Sequence, residues 1–509
     1  MGFTSLLFYI FALFAAAIYL MVKKNQWGVL LLLSIIFYAT WEIEKIPFIL
    51  AAACIAWTAG LLIGLRYDKT DANDRELKNK AKQYARIVAL IAVVLLLSML
   101  MYVKVGTLLV KSLALDGKVS IIVPVGISYY TFSLIGYVLD CYWRKEQYEK
   151  NYFKLLLFAS YFPKVLQGPI VKYRDLGPQL VAEHRFDYKN LCYGLQLMLW
   201  GYFKKLVIAD RLAIFVNTVY GDYQHKSGSM LLVATIFGAF QLYCDFSGCM
   251  DIAAGFSEIL GIKLHRNFNH PFFSESASEF WRRWHITLGT WFKDYVYMPL
   301  TISPLVIKAI QKVRNRFGMS TAKYVGAIIP IIVVWILTGL WHGTGTDFVI
   351  WGMYWAILII QEILFSSSYA RINKILHINT ESIEWRAFRR IRTFVLFTFG
   401  RMITLPGNIH ASGEVVKKII TDFCPWQLVD GTLYTMGLNR PNFIAAILFL
   451  VILYLVSRHE ENVGSCRDLI AGRQIVIRWA VYYALVFSIL VFGIYGPGYN
   501  VSDFIYMNF

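Results

Sequence analysis

Apolar residues in this chain come in long continuous runs, separated by short segments rich in Lys and Arg. Runs at 3–22, 26–41, 46–65, 86–110, 119–141, 190–208, 229–254, 324–341, 347–366, 393–406, 442–457 and 476–495 approach or reach the length of a bilayer-crossing helix. They are continuous rather than alternating, which favours helices over a β-barrel. The pattern predicts an all-α polytopic membrane protein with roughly twelve transmembrane helices. The first run lacks a basic start and a small-residue cleavage site, so it reads as a retained span rather than a signal peptide.

Basic loops fall at 23–24, 66–86, 144–154, 172–189, 308–323, 371–392 and 458–473. Assigning them to the cytoplasm puts both termini outside the cell. Alternation then requires 152–170 and 280–300 to enter the membrane and return. Both contain or end at proline (Pro163, Pro169, Pro299), as suits re-entrant segments buried in protein. On this topology 66–86 is a solvated loop or interfacial helix, 407–441 an extracytoplasmic loop and 496–509 an extracytoplasmic tail. With no internal repeat and no flexible linker, 1–509 reads as a single integral membrane domain.

Composition agrees with this picture: the chain is 58% hydrophobic and 16% charged, with mean hydropathy +0.52, less charge than a soluble chain carries. A net charge of +18 would suggest nucleic acid in a soluble protein. Here the cations sit in loops, as the positive-inside bias produces, so no nucleic-acid partner is expected. The seven cysteines are scattered, without a CxxC, so neither a disulfide framework nor a metal site is expected.

Polar residues inside apolar runs are the candidate chemistry, because lipid cannot solvate them. Trp341-His342-Gly343-Thr344-Gly345 joins two such runs. A Gly-broken turn there holds His342 inside or just under the membrane surface. The alternative is an interfacial histidine bonded to backbone. In 274–300, Ser276 and Glu279 have capping-box spacing, predicting a helix from about Ala277. On one continuous helix Trp281, Trp284, His285, Leu288 and Phe292 share a buried face, while Arg282 and Arg283 look toward water or phosphate. The alternative for His285 is a packed ring donating to a carbonyl. Upstream, Asp245, Asp251 and Glu258 lie in an apolar segment. Asp245 and Asp251 could line a polar cavity, neutralise nearby arginines or hold helix termini.

Several stretches together resemble the membrane-bound O-acyltransferase family: VPVGISYYTFSLIGYVLDCYW (123–143), YFPKVLQGPIVKY (161–173), GYFKKLVIADRLA (201–213), YCDFSGCMDIAAGFSEILGIKLHRNFNHPF (243–272), SEFWRRWHITLGTWFKDYVYMPL (278–300) and LTGLWHGTGTDFVIWGMYWA (337–356). They cover most of 120–366, and the similarity is to the bacterial branch that O-acetylates alginate and peptidoglycan or D-alanylates teichoic acids. Lys164 departs from the pattern, which leads one to expect an uncharged residue or His. The resemblance implies a helical fold around a central tunnel, with His342 matching the family's essential histidine and His285 its second. Trp341, Trp284, Asp245, Asp251, Arg282 and Arg283 then become tunnel or motif-supporting residues. Phe504 to Phe509 reads F-x-Y-x-x-F, similar to a terminal acyl-transfer motif of this branch, and makes Tyr506 a candidate acyl carrier. Without the resemblance it is an aromatic tail at the interface.

The function so implied is a membrane O-acyltransferase with no bound cofactor. It draws on acetyl-CoA or another acyl thioester, serves a polysaccharide acceptor and works with an extracytoplasmic SGNH-type partner. A transporter or flippase for an envelope polysaccharide shares the helical class, but such folds often show inverted repeats, and none is evident. A non-catalytic scaffold would leave both histidines dispensable.

Overall fold

Hydrophobicity that runs all round a helix has two outlets, lipid or the inside of a protein, and this chain uses both. The computed structural model describes residues 1–70, 73–113 and 121–495. Tyr506 and the rest of the expected 496–509 tail lie outside them. Among the described residues, regular structure is helical, with one isolated β-bridge between Phe268 and Trp284. The chain is an all-helical, multi-pass membrane protein. Among the described residues, seven helices are long and apolar enough to cross a bilayer: Ile43–Asp68, Arg75–Thr107, Gly228–Ile259, Met319–His342, Thr346–Leu364, Arg440–Asn462 and Ile475–Phe492. Leu6–Met21 and Gln26–Ala39 are shorter apolar helices.

The remaining expected spans take other forms. The 119–141 run yields Ile127–Tyr142, a 16-residue helix buried on nearly every side. The 190–208 run yields Tyr188–Tyr202 followed by a widened π-type turn, Phe203–Ala209. The 393–406 run is the last part of Ile383–Thr404, whose earlier turns carry Arg386, Arg389, Arg390 and Arg392. Ile127–Tyr142 has the apolarity of a span, while the helices that bury it, Ile46–Asp68 and Arg75–Ser112, come from elsewhere in the sequence.

The chain divides into two compact units. Among the described residues, the first comprises Met1–Leu199 with Cys249–Arg266, and the second Trp200–Gly248 with residues 267–495. In the first, Ile46–Asp68 packs on Arg75–Ser112 and on Ile127–Tyr142. The helix Arg75–Ser112 extends well into the expected 66–86 loop. The predicted re-entrant 152–170 is broken into Tyr152–Ser160 and the single turn Phe162–Val165. Residues 155–171 are buried without interruption. Gly126 adopts φ +72°, and a Cβ there would lie 1.8 Å from the carbonyl oxygen of Val165. Only glycine lets the start of Ile127–Tyr142 approach that backbone so closely.

In the second unit the predicted re-entrant 280–300 is likewise interrupted, as Ala277–Arg283, Ile286–Phe292, a π-type turn Lys293–Tyr297 and Met298–Thr301. The expected loop 407–441 holds a capped amphipathic helix, Ile409–Thr421, and two short 3-10 turns.

Candidate functional site

The site lies wholly in the second unit and begins with a helical hairpin. Met319–His342 and Thr346–Leu364 are joined by Gly343-Thr344-Gly345. Small residues let the two backbones touch. A Cβ at Gly339 would fall 2.4 Å from the Phe348 carbonyl oxygen, and one at Gly352 2.3 Å from that of Trp335. A Cβ at Gly343 would strike the Phe348 ring at 2.1 Å. His342 is therefore the last helical residue before a turn that can close only on glycine. Its side chain is buried, 5.1 Å from the ring of Trp351 and 4.8 Å from that of Trp341. Trp351 belongs to an indole cluster with Trp281 and Trp335, centroids 5.6 and 6.0 Å away.

His285 reaches the same region by a route the helical reading did not foresee. The N-cap forms as expected, Ser276 Oγ accepting from the Glu279 N–H at 3.1 Å, while the Glu279 carboxylate accepts from the Glu275 N–H at 2.9 Å. The helix nevertheless stops at Arg283. Trp284 pairs with Phe268, and His285 turns left-handed at φ 47° before Ile286–Phe292 begins. The expectation of one continuous helix across 277–292 is thus corrected. The reason is pairing with distant residues. Asn269 N–H donates to the Arg283 carbonyl at 2.9 Å, and Ile286 N–H to that of Asn267 at 3.0 Å. Asn267 Oδ1 also accepts from the backbone N–H and the hydroxyl of Thr287, at 3.0 and 2.7 Å. A non-glycine residue in this conformation costs about 1–2 kcal/mol, and these bonds hold it there. The break points the imidazole inward, 2% exposed, with its ring 4.8 Å from Phe246 and 5.8 Å from Trp341. Trp341 therefore stands against both imidazoles.

The other predicted residues meet different surroundings. Trp284 is buried among Phe268, Phe280 and Phe397, at 5.0, 5.5 and 5.0 Å, and supports the break. Arg282 is exposed. Arg283 does not look toward water or phosphate as expected. It is held by Glu461 and Glu279, each at 2.8 Å, and ties its helix to Arg440–Asn462.

Asp245 is buried, and the cation that neutralises it is a lysine rather than an arginine. Lys205 Nζ lies 2.6 Å from Asp245 Oδ1 and 2.9 Å from Asp210 Oδ1, with no exposed surface of its own. Beside it Lys204 Nζ donates to Ser247 Oγ at 2.9 Å. One buried ammonium thus serves two buried carboxylates, and pairing of this kind is the condition for burying such charges. The widened Phe203–Ala209 turn carries both lysines inward, and π-turns are frequent at functional sites. Phe246, next to Asp245, is the ring that packs on His285. Asp251 falls in the first unit, half-buried on Gly228–Ile259.

Sequence reasoning quoted GYFKKLVIADRLA as a motif yet passed over Lys204, Lys205 and Asp210. The signal was available: two lysines inside an apolar run demand partners by the same argument that picked out Asp245. Asn267, Phe246 and Trp351 offered no such signal. Their roles depend on what faces them.

Comparison with known proteins gives a consistent picture. The model of the membrane-bound O-acyltransferase family matches residues 144–310. The chain is 28% identical over 456 residues to the Probable alginate O-acetylase AlgI of Pseudomonas syringae pv. tomato, covering 88% of this chain and 79% of that protein. It is 28% identical over 523 residues to the Peptidoglycan O-acetyltransferase of Helicobacter pylori, covering 94% and 91%. Against the Teichoic acid D-alanyltransferase of Bacillus subtilis, identity is 32% over 239 residues, 46% of this chain and 57% of that one.

Proposed function

Because this chain belongs to the membrane-bound O-acyltransferase family, we propose that it carries an acyl group, acetyl in our reading, from a cytoplasmic thioester across the membrane. The group ends on a hydroxyl of a polysaccharide outside. A soluble thioester cannot cross lipid, so donor and acceptor must approach one buried site from opposite faces. The observation that carries the reading is the pair of buried imidazoles, His285 and His342, set on separate segments against the same indole of Trp341.

His342 acts as general base. It takes the proton of the acceptor hydroxyl as that oxygen attacks the thioester carbonyl. The carbon–sulfur bond breaks, the thiol departs with a proton, and an ester remains. A neutral imidazole suits this task. His285 orients the donor or donates to the carbonyl oxygen as charge develops there. The surrounding indoles keep bulk water from competing and strengthen those interactions.

In our reading the first acceptor is Tyr506 on an extracytoplasmic tail. A phenol, with pKa about 10, is a better leaving group than a sugar hydroxyl. The resulting aryl ester therefore keeps enough transfer potential for an SGNH-type partner to move the acyl group onward. Tyr506→Phe removes one oxygen. Acylation of the polysaccharide is expected to cease while the protein inserts and accumulates normally, and the C-terminal peptide should lose its acyl mass increment. Wild-type transfer by this variant would remove Tyr506 from the scheme and leave the histidines untouched.

His285→Asn separates ring from backbone, because asparagine also tolerates the left-handed conformation. Thermal stability is expected to stay near wild type while transfer falls by about 10²-fold or more. Full activity would assign His285 to packing alone.

A further inference from the structure

Lys164 is a buried lysine with no part in the chemistry above. It sits in the Phe162–Val165 turn of the first unit, 2% exposed. Among the described residues its ammonium makes no hydrogen bond or ion pair. Its close neighbour is the face of Phe158, 4.1 Å from Nζ to the ring centroid. Three positions on, Gln167 has no exposed surface, and neither end of its amide is bonded to protein among the described residues. The turn between them is tight. Gly168 N–H donates to the Lys164 carbonyl at 2.8 Å, and a Cβ at Gly168 would lie 2.4 Å from Lys164 Cα. Three-residue spacing in such a turn puts positions 164 and 167 on one face.

An isolated buried ammonium is among the most expensive groups a protein can hold, and one aromatic face offsets only part of that cost. The combined inventory is lopsided. Lysine offers three N–H donors and no acceptor, and the glutamine amide two donors and one carbonyl. A guest that satisfies this pair must be rich in acceptors, and a negative charge would neutralise the ammonium. We propose that Lys164 and Gln167 form a buried oxyanion site in the first unit, taking one carboxylate or phosphate group. The ammonium supplies charge and the amide fixes orientation, while Phe158 closes one side. The proposal does not depend on the acyl-transfer reading.

The test uses the purified full-length protein in detergent micelles and reads the thermal unfolding midpoint. Sodium phosphate and sodium acetate are titrated separately against sodium chloride at matched ionic strength. Wild type is expected to gain several degrees, saturably, with an oxyanion over chloride. Lys164→Met keeps the length of the stem and removes the charge, and is expected to fold and lose the response. Gln167→Glu supplies a carboxylate from the chain itself. Its midpoint in chloride is expected to rise, and added oxyanion to do nothing further. A response to phosphate alone assigns a phosphate ligand, and a response to both assigns either group. Repeating the titration in nanodiscs of phosphatidylcholine with and without phosphatidylglycerol identifies the source. A response already saturated only with phosphatidylglycerol assigns a lipid headgroup, and one that persists in both assigns a free anion. No oxyanion-specific gain in any of these settings, or an undiminished gain in Lys164→Met, overturns the proposal. Because the readout is stability, it stands or falls separately from the His342 variant.

Discussion

Replacing His342 with glutamine is expected to reduce acyl transfer by about 10²–10⁴-fold, the usual contribution of a positioned general base. The fold should persist. Glutamine fills much of the imidazole volume, and the turn after it is shaped by Gly343 and Gly345, not by the ring. Position 342 also ends its helix, so no downstream turn depends on its rotamer. The measurement is transfer from radiolabelled acetyl-CoA to protein or polysaccharide in membranes, normalised to the amount of protein inserted. Undiminished transfer would refute the assignment of the base. A loss accompanied by a lowered unfolding midpoint would show that the ring against Trp351 serves packing first.

The second large effect concerns Lys205. Lys205→Met leaves Asp210 and Asp245 buried without their shared cation, and breaking such a network costs about 3–5 kcal/mol. Folded protein recovered from membranes should fall steeply, with a lower unfolding midpoint. Adding Asp245→Asn to Lys205→Met removes one of the two stranded charges, so the double variant should recover much of the loss. Non-additivity of this kind marks residues that act together. If Lys205→Met unfolds no sooner than wild type, the Lys205–Asp210–Asp245 arrangement is not what stabilises the Phe203–Ala209 turn. Because Phe246 follows Asp245 and packs on His285 at 4.8 Å, partial unfolding here should also lower transfer through misplacement of that ring.

Some of the site could be read directly. His342 stood out because an ionisable residue between two apolar runs must be accounted for, and its Gly-rich surroundings announced a turn. Asp245 stands out for the same reason, and of the roles open to it, cavity lining, neutralising an arginine or holding a helix end, none names the lysine that meets it. Arginines are plentiful in the flanking loops, whereas Lys205 hides in an apolar run and is turned inward by a local π-turn. His285 was found by residue type and placed on the wrong geometry. Nothing in RRWHITL breaks a helix: it contains neither glycine nor proline, and its capping signal is sound. The break is imposed by Asn267 and Asn269, whose bonds to 283–287 become available only once the two segments are side by side.

The sequence by itself determined that the chain is helical and crosses the membrane repeatedly, since length, apolarity and the position of charge belong to each segment alone. It also determined the hairpin that turns just after His342, where glycine permits what no other residue does. The tertiary structure decided which apolar helices are buried in protein, which cation faces Asp245 and how one indole comes to lie against both histidines. Those outcomes depend on what stands opposite a side chain. Periodicity can say which face is apolar, but it carries no record of the surface that face will meet.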